Sequence, residues 1–354
     1  MSGENTGGKS GETSIPARYR RVLMLLPRGY REQRGEEILG TLLDAAQDEG
    51  RSGPTVREIL SILSLSLAVR TGAPGANGKD EAFGALLRRV TLTALVLQSA
   101  IAVVRTYTFV LNADFYWRAT PIPGSTLLAD MATSSLEQAV KQAVVLLATS
   151  LALVLLVIGR KRWGLALAAA GPLSVVVGFG THPGDPYGGE ISTPVNGEYW
   201  AVLGLGMLAL IAGTLAFQRA ERRSTRPWIV TLVTVDAVLF LTSVVIVETH
   251  AAVPGAQFLL GAICVLPAVG FAARAGRVSP NWPLALLLVG APGLALLPRT
   301  ITDLGGDTNV FGSDGPLGAV AALGVECLVA EVLFAGILAW SLYRHRATRA
   351  VLSR

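Results

Sequence analysis

The N-terminal segment contains a pattern that in other proteins binds nucleotide phosphates. Residues 3–10, GENTGGKS, match the spacing G-x-x-x-x-G-K-[ST]. In a phosphate-binding loop, a buried strand and a following helix hold the glycines so that backbone N–H groups face the phosphates. Here only two residues precede the first glycine, and the polar sequence GETS follows. We therefore expect residues 1–14 to be a disordered polar tail that binds no nucleotide.

Four ionisable residues fall inside strongly apolar stretches: Arg105, Asp236, Glu326 and Glu331. A charge at the centre of a bilayer costs at least about 2.5–3.5 kcal/mol, so such groups should face a bundle interior and find partners. Their depths predict a contact between Arg105 and Glu326, with Asp236 and Glu331 lining a polar interior. Three interpretations stay open: a structural ion pair, a path for protons or a substrate, and an Arg105 side chain that reaches the outer interface.

The chain offers no set of residues that defines a reaction. Glu326 and Glu331 are five positions apart, about 140° around a helix, so they do not share one face. No apolar stretch supplies a Ser–His or Cys–His pair. The two cysteines, Cys264 and Cys327, lie in separate apolar stretches without a C-x-x-C motif. We expect no catalytic residue, no metal and no cofactor.

The elements that carry these charges are long apolar segments. Of 354 residues, 51% are hydrophobic and 16% charged, and the mean hydropathy is +0.51, whereas ordinary soluble chains carry about 25% charged residues. A helix needs about 20 mostly apolar residues to cross a bilayer. Eight stretches qualify, at 90–111, 140–158, 163–180, 199–217, 228–247, 256–273, 282–298 and 317–342. The fold class predicted is all-α, a polytopic membrane protein with about eight spans.

Two further features predict the orientation of these spans. If residues 1–85 are cytoplasmic, the basic residues concentrate in the inner loops and the C-terminal tail, and the outer loop between the third and fourth spans has no Lys or Arg. All six tryptophans fall at predicted span ends, as expected of interfacial anchors: Trp117, Trp163, Trp200, Trp228, Trp282 and Trp340. The net charge of +5 is thus a topology signal rather than a nucleic-acid-binding surface. Both termini are expected in the cytoplasm.

The segment before the spans has the pattern of three amphipathic helices. The first carries the apolar stripe Tyr19, Val22, Leu23 and Leu26; the second carries Ile38, Leu39, Leu42, Leu43 and Ala46; the third carries Val56, Ile59, Leu60, Leu63 and Leu67. Pro27 should end the first helix, Gly50 the second, and Pro54 should lie in the first turn of the third. A bundle of about 57 residues is marginal alone, so we expect it to lean on the membrane, on a protein partner or on a second copy.

This segment resembles the HAAS helical module, found ahead of multi-span bacterial membrane proteins. The residues that carry the resemblance are Arg18 to Arg21, Leu25-Leu26-Pro27, Tyr30-Arg31, Glu36-Glu37 and Leu42 to Ala45. The resemblance implies a signalling or adaptor head. Genes for proteins with this module often lie beside genes for PadR-type regulators or transporters. We expect a cytoplasmic protein partner, a regulator or an ATPase, that binds residues Arg18, Arg21, Tyr30, Arg31, Glu36 and Glu37. The alternative is that residues 15–71 are a solvated helical cap without a partner. The membrane part resembles no family with a known activity.

Together these features predict five regions: a tail (1–14), a HAAS-like head (15–71), a flexible linker (72–85), an eight-span domain (86–343) and a basic tail (344–354). The function favoured is a membrane-anchored sensor or regulatory component whose head binds a protein partner. The alternative is a permease or transporter subunit that moves a small solute along the charged path. Expected surroundings are the lipid bilayer and, as a further possibility, a second copy of the chain.

Overall fold

The computed structural model describes residues 15–72, 78–119, 126–181, 197–216, 226–248, 256–296 and 316–352, and every regular element in these ranges is helical. The chain divides into two compact units, Met1–Ala85 and Leu86–Arg354. The all-helical prediction is therefore confirmed for the described residues.

Three helices form the first unit, which we call the head: α1 (Ile15–Leu23), α2 (Arg28–Asp48) and α3 (Val56–Arg70). α1 ends at Leu23, earlier than predicted, and Pro27 is instead the residue before α2. α2 ends at Asp48, shortly before Gly50, whose φ of 63° suits glycine. The start of α3 differs from the prediction. Thr55, not Pro54, sets this start, because its side chain accepts from the Glu58 N–H while the Glu58 carboxylate accepts from the Thr55 N–H.

The core of the head also differs from the prediction at α3. The stripes predicted for α1 and α2 do pack inward, around Tyr19, Leu23 and Leu39. On α3, however, the buried residues are Ile62, Ser66 and Val69. Four residues of the predicted stripe are exposed instead, by 73% at Val56, 58% at Leu60, 42% at Leu63 and 44% at Leu67. We call these four residues the α3 stripe.

The second unit is built from nine α-helices and one 3-10 helix within the described ranges. They are α4 (Gly78–Ala119, whose start belongs to the first unit), α5 (Thr126–Ile158), α6 (Lys161–Ala168), α7 (Ala170–Thr181), α8 (Gly197–Ala216), α9 (Arg226–Glu248), α10 (Ala256–Gly276), α11 (Asn281–Gly290), the 3-10 helix Ala291–Leu296 and α12 (Pro316–Leu352). The residues just before and after these helices are often outside the described ranges.

Three helical segments among the described residues are long and apolar enough to cross a membrane: Asp80–Leu111, Ala132–Ile158 and Leu328–Ala347. Shorter apolar helical segments are Trp200–Ala216, Pro227–Leu241 and Asn281–Gly290. The polar segment LLADMATSSLEQAVKQ precedes the apolar part of α5. It is helical, and it continues without a break into the rest of α5.

Two of the predicted spans are interrupted. The third breaks at Ala169, between α6 and α7, three residues before Pro172. The seventh tightens from α11 into the 3-10 helix that contains Pro292. Proline removes a backbone donor and clashes with the preceding turn, which accounts for both positions.

Small side chains let the helices of the second unit approach closely. Ala94 of α4, Ala152 of α5, Ala209 of α8 and Ala285 of α11 are all fully buried in one hydrophobic core. Small residues at helix contacts are typical of packing without a hydrophobic driving force between helices. This core surrounds the polar residues described next.

Candidate functional site

A polar cluster joins α4, α5 and α9. Ser99, which is fully buried, donates a 2.7 Å hydrogen bond from Oγ to Oδ2 of Asp236. The Ser150 hydroxyl lies 3.0 Å from Ser99 Oγ. Because Ser99 gives its only proton to the carboxylate, Ser150 donates to Ser99. The chain of hydroxyls thus orients one oxygen of Asp236.

Helices α4 and α9 also contact each other through two aromatic rings. The rings of Tyr107 and Phe240 pack edge to face with centroids 5.5 Å apart. Both residues follow the Ser99–Asp236 pair in sequence, so the two helices run in the same direction. A parallel pair is what the predicted topology requires of the first and fifth spans.

Several buried polar atoms beside this cluster have no hydrogen-bond partner within the described part of the chain. They are Oδ1 of Asp236 and both side-chain polar atoms of Gln98. Gln98 is 3% exposed and lies against Gly171 and Gly206, where an added Cβ would come within 2.7 Å of its Nε2. The two glycines therefore make room for an amide. A buried amide without a hydrogen-bond partner is costly, so this position is polar at an energetic cost.

Glu331 lies in a different polar environment from Asp236. It is 8% exposed on α12, and its Oε1 has no hydrogen-bond partner among the described residues. A Cβ on Gly290 of α11 would overlap this oxygen. Gly290 thus makes space for the carboxylate. The two acids meet different helices, so the described contacts do not join them in one polar lining.

The predicted contact between Arg105 and Glu326 involves one side chain that the structure does not describe. Arg105 is half-buried on α4, whereas the side chain of Glu326 is not described. The Arg105–Glu326 contact stays a prediction. Ser99 and Ser150 were missed, because lone serines are common in apolar helices. For Ser99, the signal in the sequence is the polar pair Gln98-Ser99 in the middle of an apolar stretch.

The residues predicted to bind a partner are distributed unevenly over the head. Arg21, Glu36 and Glu37 are exposed. Arg18 is also exposed, and its guanidinium donates to the Ser52 carbonyl at 3.3 Å. The other two are more enclosed: Arg31 is half-buried, and Tyr30 is part of the hydrophobic core. Tyr30 therefore supports the fold rather than presenting its ring to a partner.

An ion pair that the sequence did not suggest stabilises the head. Two nitrogens of Arg51 donate to the two oxygens of Glu58, each at 3.1 Å, and the Arg51 Nε lies 2.7 Å from Glu49. The hydrogen bond from Arg51 lowers the pKa of Glu58 and raises that of Arg51. The fully buried Tyr19 lies beside this pair, and burial raises the pKa of its phenol.

A cationic and aromatic cluster lies at another set of helix ends in the second unit. The guanidinium of Arg89 on α4 stands 4.7 Å from the ring centre of Trp282 on α11. That ring also contacts Phe271 of α10, with centroids 4.9 Å apart, and Trp228 of α9, at 6.1 Å. Arginine over tryptophan is a favourable cation–π arrangement. These contacts around Trp282 join α4, α9, α10 and α11.

Among the residues that the structure describes, no group of three or more His, Cys, Asp or Glu converges as a metal site.

No protein-family model, curated protein or solved structure matches this chain. The HAAS resemblance of the head accordingly rests on its sequence motif.

Proposed function

We propose that the protein is a non-enzymatic, multi-pass membrane protein, a sensor or regulatory component whose cytoplasmic head binds a protein partner. The observation that carries this proposal is the separate head. It has its own core and its own ion pair, precedes the first apolar helix, and presents Arg18, Arg21, Glu36 and Glu37 at its surface. Exposed helices with mixed charge are a common means of protein recognition.

The proposed topology has eight spans and cytoplasmic termini. Besides the three long apolar segments, α8, α9 and α10 have 20, 23 and 21 residues, close to the length of about 20 that a span needs. The two interrupted helices supply the third and seventh spans. The basic residues and tryptophans support the orientation, as they do in the sequence.

Three contacts in the second unit support the same topology, because each joins ends predicted to be cytoplasmic. Arg89 contacts Trp282 at the starts of the first and seventh spans. Lys161, before the third span, donates to the Thr214 carbonyl near the end of the fourth at 3.1 Å. Ser341 donates to the Gly276 carbonyl at 2.6 Å, joining the ends of the eighth and sixth. A wrong orientation of any one of these six spans would separate one of the pairs.

The test of the head begins with co-purification from mild detergent, comparing the full chain with a version lacking residues 1–72. A partner identified with the full chain is then purified and titrated against the full chain and against the double variant Arg21→Glu, Glu37→Arg. We expect at least about a tenfold loss of affinity, because the reversed charges would face like charges on the partner and repel them. Asp48→Lys, an exposed charge reversal elsewhere on α2, is the control. Equal binding by all versions would contradict the proposal.

The second candidate function is a permease or transporter subunit for a small solute. The specific observation in its favour is the group of buried polar atoms on Asp236 and Gln98 that have no hydrogen-bond partner among the described residues, since ionisable residues in membrane segments often mark such paths. The test is uptake into vesicles by wild type and by Asp236→Asn. This candidate requires that Asp236→Asn abolish uptake while size-exclusion behaviour and helicity stay unchanged.

A further inference from the structure

The α3 stripe is an apolar surface without a cover inside the described chain. Val56, Leu60, Leu63 and Leu67 follow the spacing of one helix face and are all exposed. Met24 and Leu25 of the α1–α2 turn are also exposed, and Ser66 of α3 donates to the Leu25 carbonyl. A contiguous apolar surface of this kind marks an interaction site rather than ordinary exposure.

The charges on α3 favour one class of occupant. Arg57 and Arg70 are exposed, and each lies three positions from a leucine of the stripe, which puts it on the same side of the helix. The helix has one acid, Glu58, which is paired with Arg51 and only 16% exposed. The exposed charge beside the stripe is thus entirely positive.

The end of α3 lies next to the start of the first apolar helix. The backbone of Thr71 and Gly72 packs against Gly84 of α4 so closely that a Cβ on Gly84 would overlap the Thr71 carbonyl. Gly72 has a φ of 89°, which lets the chain turn there. Gly84 precedes Val90, where α4 becomes continuously apolar, by six residues of the same helix. This contact lies within the first unit and holds the end of α3 against the start of α4.

We propose that the α3 stripe lies on the inner surface of the lipid bilayer, with its leucines in the interfacial zone and Arg57 and Arg70 on anionic headgroups. An apolar face flanked by arginines is the pattern of an interfacial helix. This inference rests on the proposed insertion of α4 in a membrane, and it needs no protein partner.

Two other candidates to bind the α3 stripe, residues 1–14 and a second copy of the chain, fit the observations less well. Residues 1–14 have a single large apolar side chain, Met1, so they cannot cover four apolar positions. In a symmetric pair of α3 helices, either direction brings arginines near arginines, because Arg57 and Arg70 are the only exposed charges on the helix. Anionic lipid supplies the negative charge that a second copy of α3 does not.

The test uses the full chain reconstituted in vesicles of phosphatidylcholine and phosphatidylglycerol. In a Cys264→Ser, Cys327→Ser background, Leu60→Cys carries an environment-sensitive fluorophore, and the matched control is Glu36→Cys on the exposed surface of α2. We expect emission at position 60 to be blue-shifted, to be quenched by nitroxide-labelled lipid, and to resist aqueous iodide at least about threefold better than emission at position 36. Leu63→Cys repeats the measurement if the first variant misfolds.

Two results would overturn the inference. The first is equal iodide quenching at positions 60 and 36. The second is protection at position 60 without quenching by labelled lipid, together with disulfide formation between copies when unlabelled Leu60→Cys protein is oxidised; this result would assign the surface to a second copy. Replacing Arg57 and Arg70 by Gln should increase iodide quenching in vesicles with phosphatidylglycerol but not in pure phosphatidylcholine; no difference between the lipids would contradict the role of the arginines. The labelled variants keep Arg21 and Glu37, so failure of the partner-binding test would leave this result standing.

Discussion

Ser99 and Asp236 are 137 positions apart in the chain, and their side chains form a 2.7 Å hydrogen bond that joins α4 to α9. The bond has a charged acceptor and a fully buried donor. It is one of the few polar contacts described between the helices of the second unit. Hydrogen bonds to charged groups contribute more than neutral ones, and their loss leaves a buried acceptor unsatisfied.

Ser99→Ala should lower the free energy of unfolding in detergent by about 1–2 kcal/mol, because Asp236 loses its donor. The control is Ser174→Ala, whose hydroxyl only bonds a carbonyl of its own helix. In a double-mutant cycle with Asp236→Asn, the two losses should not add. Full additivity would mean that the bond does not stabilise the protein.

Gln98→Leu should raise the unfolding midpoint, since the substitution removes two buried polar atoms that have no described partner. Gln47→Leu on the exposed surface of α2 is the control and should have little effect on the midpoint. If the protein is a permease that uses the niche at Gly171 and Gly206, the same Gln98→Leu variant should be more stable yet transport less. A lower midpoint would indicate that the amide has a partner.

Gly290→Ala should destabilise the protein by about 1–3 kcal/mol, because its Cβ would overlap the carboxylate of Glu331. Gly336→Ala, on α12 with open space around it, should be neutral or stabilising by up to about 1 kcal/mol. Shortening the acid with Glu331→Ala should restore tolerance of Gly290→Ala. Failure of that rescue would place the clash elsewhere.

The Arg51–Glu58 pair should make the stability of the head depend on pH. The pKa of Glu58 in the folded state lies below its ordinary value of 4.5, chiefly through the hydrogen bond from Arg51. Its contribution is therefore complete above that value and is lost as the pH falls through the folded-state pKa. Glu58→Gln should lower the melting temperature of the head at pH 7, and this difference should vanish in strong acid.

The matched control for Glu58→Gln is Glu32→Gln, whose pair with Arg28 is mostly exposed. Exposed pairs contribute little, so we expect no measurable shift from this control. Melting is followed by hydrogen exchange in peptides of residues 15–70 within the full chain. Equal effects of the two variants at pH 7 would show that enclosure of the Arg51–Glu58 pair is unimportant.

Gly84→Ala should disturb the junction between α3 and α4, because no room exists between Gly84 and the Thr71 backbone. We expect a loss of at least about 2 kcal/mol, since backbone atoms cannot move aside as a flexible side chain can. Gly40→Ala lies in open space on α2 and should stabilise the helix by about 1 kcal/mol. Protease sensitivity near residue 72 measures the local effect; unchanged cleavage of Gly84→Ala would contradict the close contact.

The sequence determined the local properties of this protein. Helices follow from the spacing and length of apolar residues, and Pro27 and Gly50 mark helix boundaries because their backbone preferences act within a few residues. Hydropathy likewise identified Asp236 and Glu331 as unusual charges. Each of these features depends on neighbours in the chain, which a sequence displays directly.

Only the tertiary structure decided which surfaces and which polar groups meet. α3 is apolar on more than one side, so its pattern alone could not tell that Ile62 and Val69 would face the core while Leu60 and Leu63 stay outside. The bond between Ser99 and Asp236 joins positions whose separation in sequence carries no information about distance. Such contacts depend on how several helices pack together, because the best arrangement satisfies all their faces at once.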